Sequence, residues 1–197
     1  MVYLAKRSES NTKSRIVEAA WKLFYEKGFD MTTVDEIISL SGTSKGSFYH
    51  YFESKDALLG SLAYLFDEKY SELEKGLDPN ENSMEILLFL NRELFSMIEN
   101  SIDLDLLTGL YSTQLFAKGQ RELLDHSRVY YRLLKKIVSR GQEKGELTKE
   151  MNAGEIVKLY AMCERALLYD WCLCRGDYSL KDYASTAMPR LLKGIIS

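Results

Sequence analysis

The chain has 197 residues, 46% of them hydrophobic, and a formal net charge of −3 at pH 7. This is enough apolar content for a packed core in one large or two small domains, and no apolar run reaches the roughly 18 residues of a membrane span. Residues 1–10 (MVYLAKRSES) lack the apolar stretch of a signal peptide, so a cytoplasmic protein without membrane association is expected.

Taken in order, residues 1–10 read as a polar arm. It is either a disordered tail or a place where Lys6 and Arg7 touch phosphate. A helix is predicted over 12–27, with Ile16, Ala19, Ala20, Leu23 and Phe24 on one stripe, Trp21 joining that small core, and Gly28 ending it. Residues 33–36 (TVDE) form a capping box, a hydroxyl at the N-cap and a carboxylate three residues on. In the helix it opens, Val34, Ile37 and Ile38 share a face, and Ser41-Gly42 stops it. Thr43 or Ser44 caps the next helix, which carries Lys45, Gly46, Ser47, Phe48, Tyr49, His50 and Tyr51. Apart from Phe48, with Phe52 just beyond, this short helix has little apolar surface. A helix meant to fill a core would not carry so many polar-tipped side chains; one meant for a DNA major groove would.

A fourth helix is predicted from Ser54 or Lys55 to about Lys75, followed by a loop over 76–82 (GLDPNEN). Residues 83–99 are apolar nearly all round, as in the middle of a bundle. A further helix over 102–116 is interrupted at Gly109, and 117–119 is a break. A long helix is expected from Gln120 to about Gln142, with Leu123, Leu124, Tyr130, Tyr131, Leu134, Ile137 and Val138 inside. The last two helices are placed at about 152–174 and 179–195, with Pro189 kinking the second. The preceding helices already suffice for one core, so this amphipathic hairpin suggests a subunit interface.

Gly28-Phe29, Thr32-Thr33-Val34, Ile37, the run 41–52 (SGTSKGSFYHYF) and Ser54-Lys55 resemble the DNA-binding signature of TetR-family transcriptional regulators. The likeness covers about residues 11–60. It implies an all-α fold of about nine helices: a helix-turn-helix head over 1–54, then a helical ligand-binding and dimerisation domain over 55–197. The function expected is that of a ligand-responsive regulator, a repressor that binds a palindromic double-stranded operator as a homodimer and is released by a small molecule. An activator, a partner-controlled regulator and a helical ligand-binding or scaffold protein are the alternatives. By analogy with the family and by geometry, Thr33, Thr43, Ser44, Lys45, Gly46, Ser47, Tyr49, His50 and Lys55 are the DNA-binding candidates, with His50 and Lys55 assigned to phosphates. The resemblance also implies that the last two helices pair across a two-fold axis. An effector pocket among the middle helices has Phe66, Phe89, Asn91, Tyr111, Gln114, Tyr130, Met162 and Arg165 as candidate lining.

No catalytic, metal or cofactor site is expected. HExxH, CxxC, GxSxG and GxGxxG motifs are absent, and the GTSKG stretch at 42–46 lacks the ending of a phosphate loop and a preceding strand. His126 reads as exposed or as a hydrogen-bonded packing residue. Cys163, Cys172 and Cys174 read as small buried hydrophobes, with a thiol sensor as the lesser alternative. Residues 1–55 carry eight Lys/Arg against seven Asp/Glu. DNA affinity must therefore come from a local cationic face, for which Lys6, Arg7, Lys13, Arg15, Lys45 and Lys55 are candidates.

Overall fold

The computed structural model describes residues 12–116 and 121–196. The arm expected at 1–10, with Lys6 and Arg7, and the break expected at 117–119 lie outside the described residues, as does Gln120. The described residues form nine α-helices and no strand, which bears out the all-α expectation. They fall into two compact units, one of residues 12–62 with 105–116, the other of 63–104 with 121–196.

The first unit holds α1 (Thr12–Lys27), α2 (Val34–Ser41), α3 (Lys45–Tyr51), a 3-10 segment (Asp56–Ser61) and most of α6 (Leu104–Phe116). The α1 stripe buries Ile16, Ala19, Ala20, Trp21 and Phe24, while Ile37, Phe48 and Phe52 supply the other walls. Trp21 meets Phe24 edge-on at 5.5 Å, and its Nε1 donates to Ser61 Oγ at 2.7 Å, so the indole's polar atom is satisfied inside the core. Gly109 does not interrupt α6. A Cβ there would lie 2.8 Å from Leu59 Cδ1, so glycine lets that leucine pack close while the helix runs through it.

The second unit holds α4 (Leu62–Glu74), α5 (Ser83–Ser101), α7 (Val129–Lys144), α8 (Ala153–Leu173) and α9 (Leu180–Leu191). Helix α5 packs against α7 and α9, and α8 packs against the same two. Asn82 and Asn152 cap α5 and α8 through their side-chain oxygens, the latter in a full capping box with Glu155. Gly141 lets α7 approach Ser83 and Leu147, since a Cβ would sit 2.8 Å from each. The end of the chain returns to this point: Thr148 N donates to Ile195 O at 2.9 Å.

Three expected helices differ from those observed. The helix predicted from Ser54 or Lys55 begins instead as the 3-10 segment, and α4 proper starts at Leu62. Residues 58–63 are all buried, and Ser61 Oγ bonds Leu58 O at 2.5 Å. Burial on every side and a competing hydroxyl favour the tighter turn. The helix predicted from Gln120 is reduced to a 3-10 turn (Glu122–Leu124) before α7. There the Asp125 carboxylate accepts from Ser127 N at 2.9 Å and Ser127 Oγ at 2.7 Å, a local turn that breaks the helix. Leu124, expected inside, is consequently 47% exposed. The last helix ends at Leu191, two residues after Pro189, and a 3-10 turn (Lys193–Ile195) follows.

Candidate nucleic-acid interface

The α2–α3 corner is fixed by its caps. Thr33 Oγ1 accepts from Glu36 N, and the Glu36 carboxylate takes Thr33 N at 2.9 Å and Thr33 Oγ1 at 2.7 Å. Lys27 Nζ pairs with the same carboxylate. These bonds, led by the one from Lys27, lower the Glu36 pKa from 4.5 to about 2. At the other end Gly42 adopts the left-handed conformation (φ 61°), donating to Ile38 O and Ser39 O. Ser44 Oγ then caps α3 by accepting Ser47 N at 3.0 Å.

Helix α3 buries Phe48 alone. Phe48 rests on Phe52 at 5.9 Å, so these two rings anchor the helix. Lys45, Gly46, Tyr49, His50 and Tyr51 are exposed, with Tyr49 at 49%, and Ser47 is half-buried. Thr43 Oγ1 lies 2.8 Å from Ser41 Oγ. Nothing in the head requires glycine at 46, because a Cβ there would meet only Ser44 Oγ at 3.8 Å. The helix therefore presents hydroxyls, an ammonium, an imidazole and a bare stretch of backbone on one outward side.

The cations of this unit are not all turned outward. Lys45 reaches Asp35 at 3.4 Å, a fully solvated pair that water and salt weaken readily. Arg15 NH2 donates to Gly42 O at 2.9 Å and to Ser41 O, closing the C-terminal end of α2. Lys55 Nζ donates to three carbonyl oxygens, Phe29 O at 2.6 Å, Thr32 O at 3.0 Å and Asp30 O at 3.4 Å, and lies 4.2 Å from the Phe29 ring centroid.

The candidate pocket residues divide between the units. Tyr111 (half-buried) and Gln114 (buried) lie on α6 and belong with the head unit. In the bundle, Phe66 is buried, Phe89 is half-buried, and Met162 is 50% exposed. Arg165 NH1 lies 3.4 Å from Tyr131 Oη. Asn91 and Tyr130 do come together, through a residue the sequence reading passed over. Glu164, 3% exposed, accepts from Asn91 Nδ2 at 2.9 Å and from Tyr130 Oη at 2.6 Å. Burial raises its pKa, and the hydrogen bonds oppose that rise. The Tyr70 ring lies 5.1 Å from that of Tyr130, and Tyr70 Oη is buried without a hydrogen-bond partner. Beside this cluster, Arg128 is bidentate to Asp67 at 3.0 and 3.1 Å and donates to Ala63 O at 2.7 Å, while Asp67 also accepts Tyr130 N. A signal for Glu164 was present. It stands three or four residues from Tyr160, Ala161, Leu167 and Leu168, all buried, so helical spacing places it inward.

Among the described residues no group of His, Cys, Asp and Glu could hold a metal, and no helix is long and apolar enough to cross a membrane. Cys163 and Cys172 are buried, and Cys174 is half-buried with its thiol pKa raised by burial and by Asp170. His126 is exposed and lies against Tyr131 at 4.4 Å.

Residues 16–62 match the family model for bacterial regulatory proteins of the tetR family, the same stretch that builds this corner. The probable helix-turn-helix transcriptional regulator ArpR of Pseudomonas putida is 31% identical, over 91% of this chain and 89% of its own length. The regulator TtgR, also of Pseudomonas putida, is 30% identical with the same coverage. The fold is that of Thermus thermophilus FadR, a TetR-family transcriptional repressor solved in complex with lauroyl-CoA. That match has a TM-score of 0.78 at 23% identity, covering 94% of this chain and 95% of FadR. The chain belongs to the TetR family of transcriptional regulators.

Proposed function

We propose that the protein is a repressor that binds a palindromic operator as a homodimer and is released by a small molecule. The observation that carries this reading is α3, a helix anchored by one buried phenylalanine and otherwise presenting polar tips and a bare glycine. Thr43, Ser44 and Lys45 enter the major groove first, Gly46 allows the backbone to approach, and Ser47 and Tyr49 read base edges or the thymine methyl. Thr33 and His50 contact phosphates.

The dimer reading is supported by apolar side chains left open on the last two helices. Tyr169 is 48% exposed, Leu173 63%, Tyr183 52% and Leu191 50%. Large apolar groups clustered at a surface mark an association face. A two-fold pair sets recognition helices roughly 34–36 Å apart, or a multiple of one DNA turn, over inverted half-sites.

For the effector, FadR in complex with lauroyl-CoA supports a small-molecule ligand, and we assign its site to the bundle. There Phe66, Phe89, Asn91, Tyr130 and Arg165 are the lining candidates, and Glu164 joins Asn91 and Tyr130. Release requires that the ligand bind one spacing of the heads better than the other. Gel shift with the DNA upstream of the protein's own gene tests the reading. Specific, salt-sensitive retardation by the purified dimer is expected; its absence overturns the proposal.

A further inference from the structure

Lys55 follows α3 in the signature and, as a half-buried cation near a recognition helix, would ordinarily be read as a phosphate contact. Its surroundings argue otherwise. An ammonium has three N–H donors. Here all three have acceptors, the carbonyl oxygens of Phe29, Asp30 and Thr32, which belong to the loop between α1 and α2. The Phe29 ring closes a further side of the charge at 4.2 Å.

The loop so held has one consequence for DNA. Thr32 is 2% exposed, its Oγ1 donates to Gly28 O at 2.8 Å and its N to Phe29 O at 3.1 Å. The next residue is Thr33, whose backbone N and hydroxyl form the N-terminal cap of α2 with Glu36. Lys55 thus ties the segment after α3 to the loop that sets the start of α2. Arg15 does the matching task at the other end of α2, on Ser41 O and Gly42 O.

We propose that Lys55 is a positioning residue: it holds the Phe29–Thr32 loop so that Thr33 meets the operator phosphate, and it does not itself bind phosphate. The proposal rests on the DNA-binding reading above. It accounts for a lysine at this place in geometric terms, since three oxygens converging on one point suit a compact ammonium better than a planar guanidinium.

The test is operator affinity against salt for wild type, Lys55→Met, Lys55→Arg, Thr33→Ala and the Thr33→Ala/Lys55→Met double variant. Melting temperatures are measured in parallel and binding is read well below them. Lys55→Met is expected to weaken binding roughly tenfold, the scale of one misplaced cap. The salt slope should stay at the wild-type value, Lys55→Arg should not restore affinity, and the double variant should bind little worse than the weaker single variant. A slope reduced by about 0.9 for each protomer, as loss of one phosphate contact demands, overturns the proposal. So does unchanged affinity, full rescue by arginine, or additive losses in the double variant. If Lys55→Met melts too low to assay, Lys55→Arg carries the same comparison of slope and affinity. Failure of wild type to bind any specific DNA would instead overturn the DNA-binding reading, so the two failures are distinct.

Discussion

In the head, charge lies at or near the surface and is applied to backbone. Arg15 closes the carbonyl end of α2, Lys55 gathers the loop before it, and the Glu36 carboxylate, clasped by Lys27, caps its first turn. In the bundle, three charged side chains lie inside, where each meets at least one other side chain. Glu164 is surrounded by Asn91 and Tyr130, and Asp67 and Arg128 are 8% and 9% exposed. The difference is one of purpose. A small unit whose core rests on few large side chains uses charge to set the angle of a helix that must face outward. A larger bundle has apolar area to spare and can carry buried polar groups whose burial is unfavourable unless each is fully partnered.

Variants can break this contrast, and the largest effect is expected inside. Arg128→Met leaves Asp67 buried without its partner and removes the bond to Ala63 O; a loss of about 3–5 kcal/mol is expected in denaturant unfolding. Converting both, as Asp67→Leu/Arg128→Met, should recover much of it, and a double variant as unstable as the single one would contradict the account. Next comes Gly141→Ala, whose new methyl meets Leu147 and Ser83; a loss of about 1–3 kcal/mol from overpacking is expected by thermal or urea unfolding. Ser44→Ala, in the head, removes the N-cap of α3 and should cost about 1 kcal/mol.

The pH profiles should separate the two units with opposite signs. Burial makes the folded Glu164 carboxyl hold its proton more tightly than the unfolded one, so it withdraws stability as pH rises from 4.5 towards its raised folded value. Glu164→Gln should flatten the wild-type decline in that window, as followed by unfolding at a series of pH values. Glu36 acts the other way. Its pKa falls from 4.5 to about 2, so its contribution is complete above 4.5 and is lost as pH drops through about 2. This is the smallest effect, since the pair is solvated, and Glu36→Gln should remove only the acid limb. An unaltered acid limb in that variant would show that another group governs it.

The head was legible in the sequence because its determinants are local. Thr33 with Glu36, Gly42, and Ser44 with Ser47 act within one or two turns, and all appear in the structure where spacing placed them. Helix α8, expected at about 152–174, is observed at Ala153–Leu173, and its capping box of Asn152 and Glu155 is equally local. The segments that departed from expectation depend on distant neighbours. The 3-10 form of Asp56–Ser61 follows from burial of 58–63 on every side, and the start of α7 from an Asp125 turn beside an Arg128 drawn to Asp67. From the sequence Lys55 reads as a phosphate contact, because a sequence shows a cation but not the carbonyls that surround it in the fold. Glu164 was passed over because charge outweighed spacing in the reading, whereas the fold obeyed the spacing.

The central claim is that α3 is the DNA-reading element, and fluorescence anisotropy of a labelled upstream duplex tests it most directly. Wild type is compared with Lys45→Ala/Tyr49→Ala, two side chains exposed on α3. The account predicts loss of specific binding in the variant with an unchanged melting temperature. Specific binding of undiminished affinity by a folded variant would contradict it.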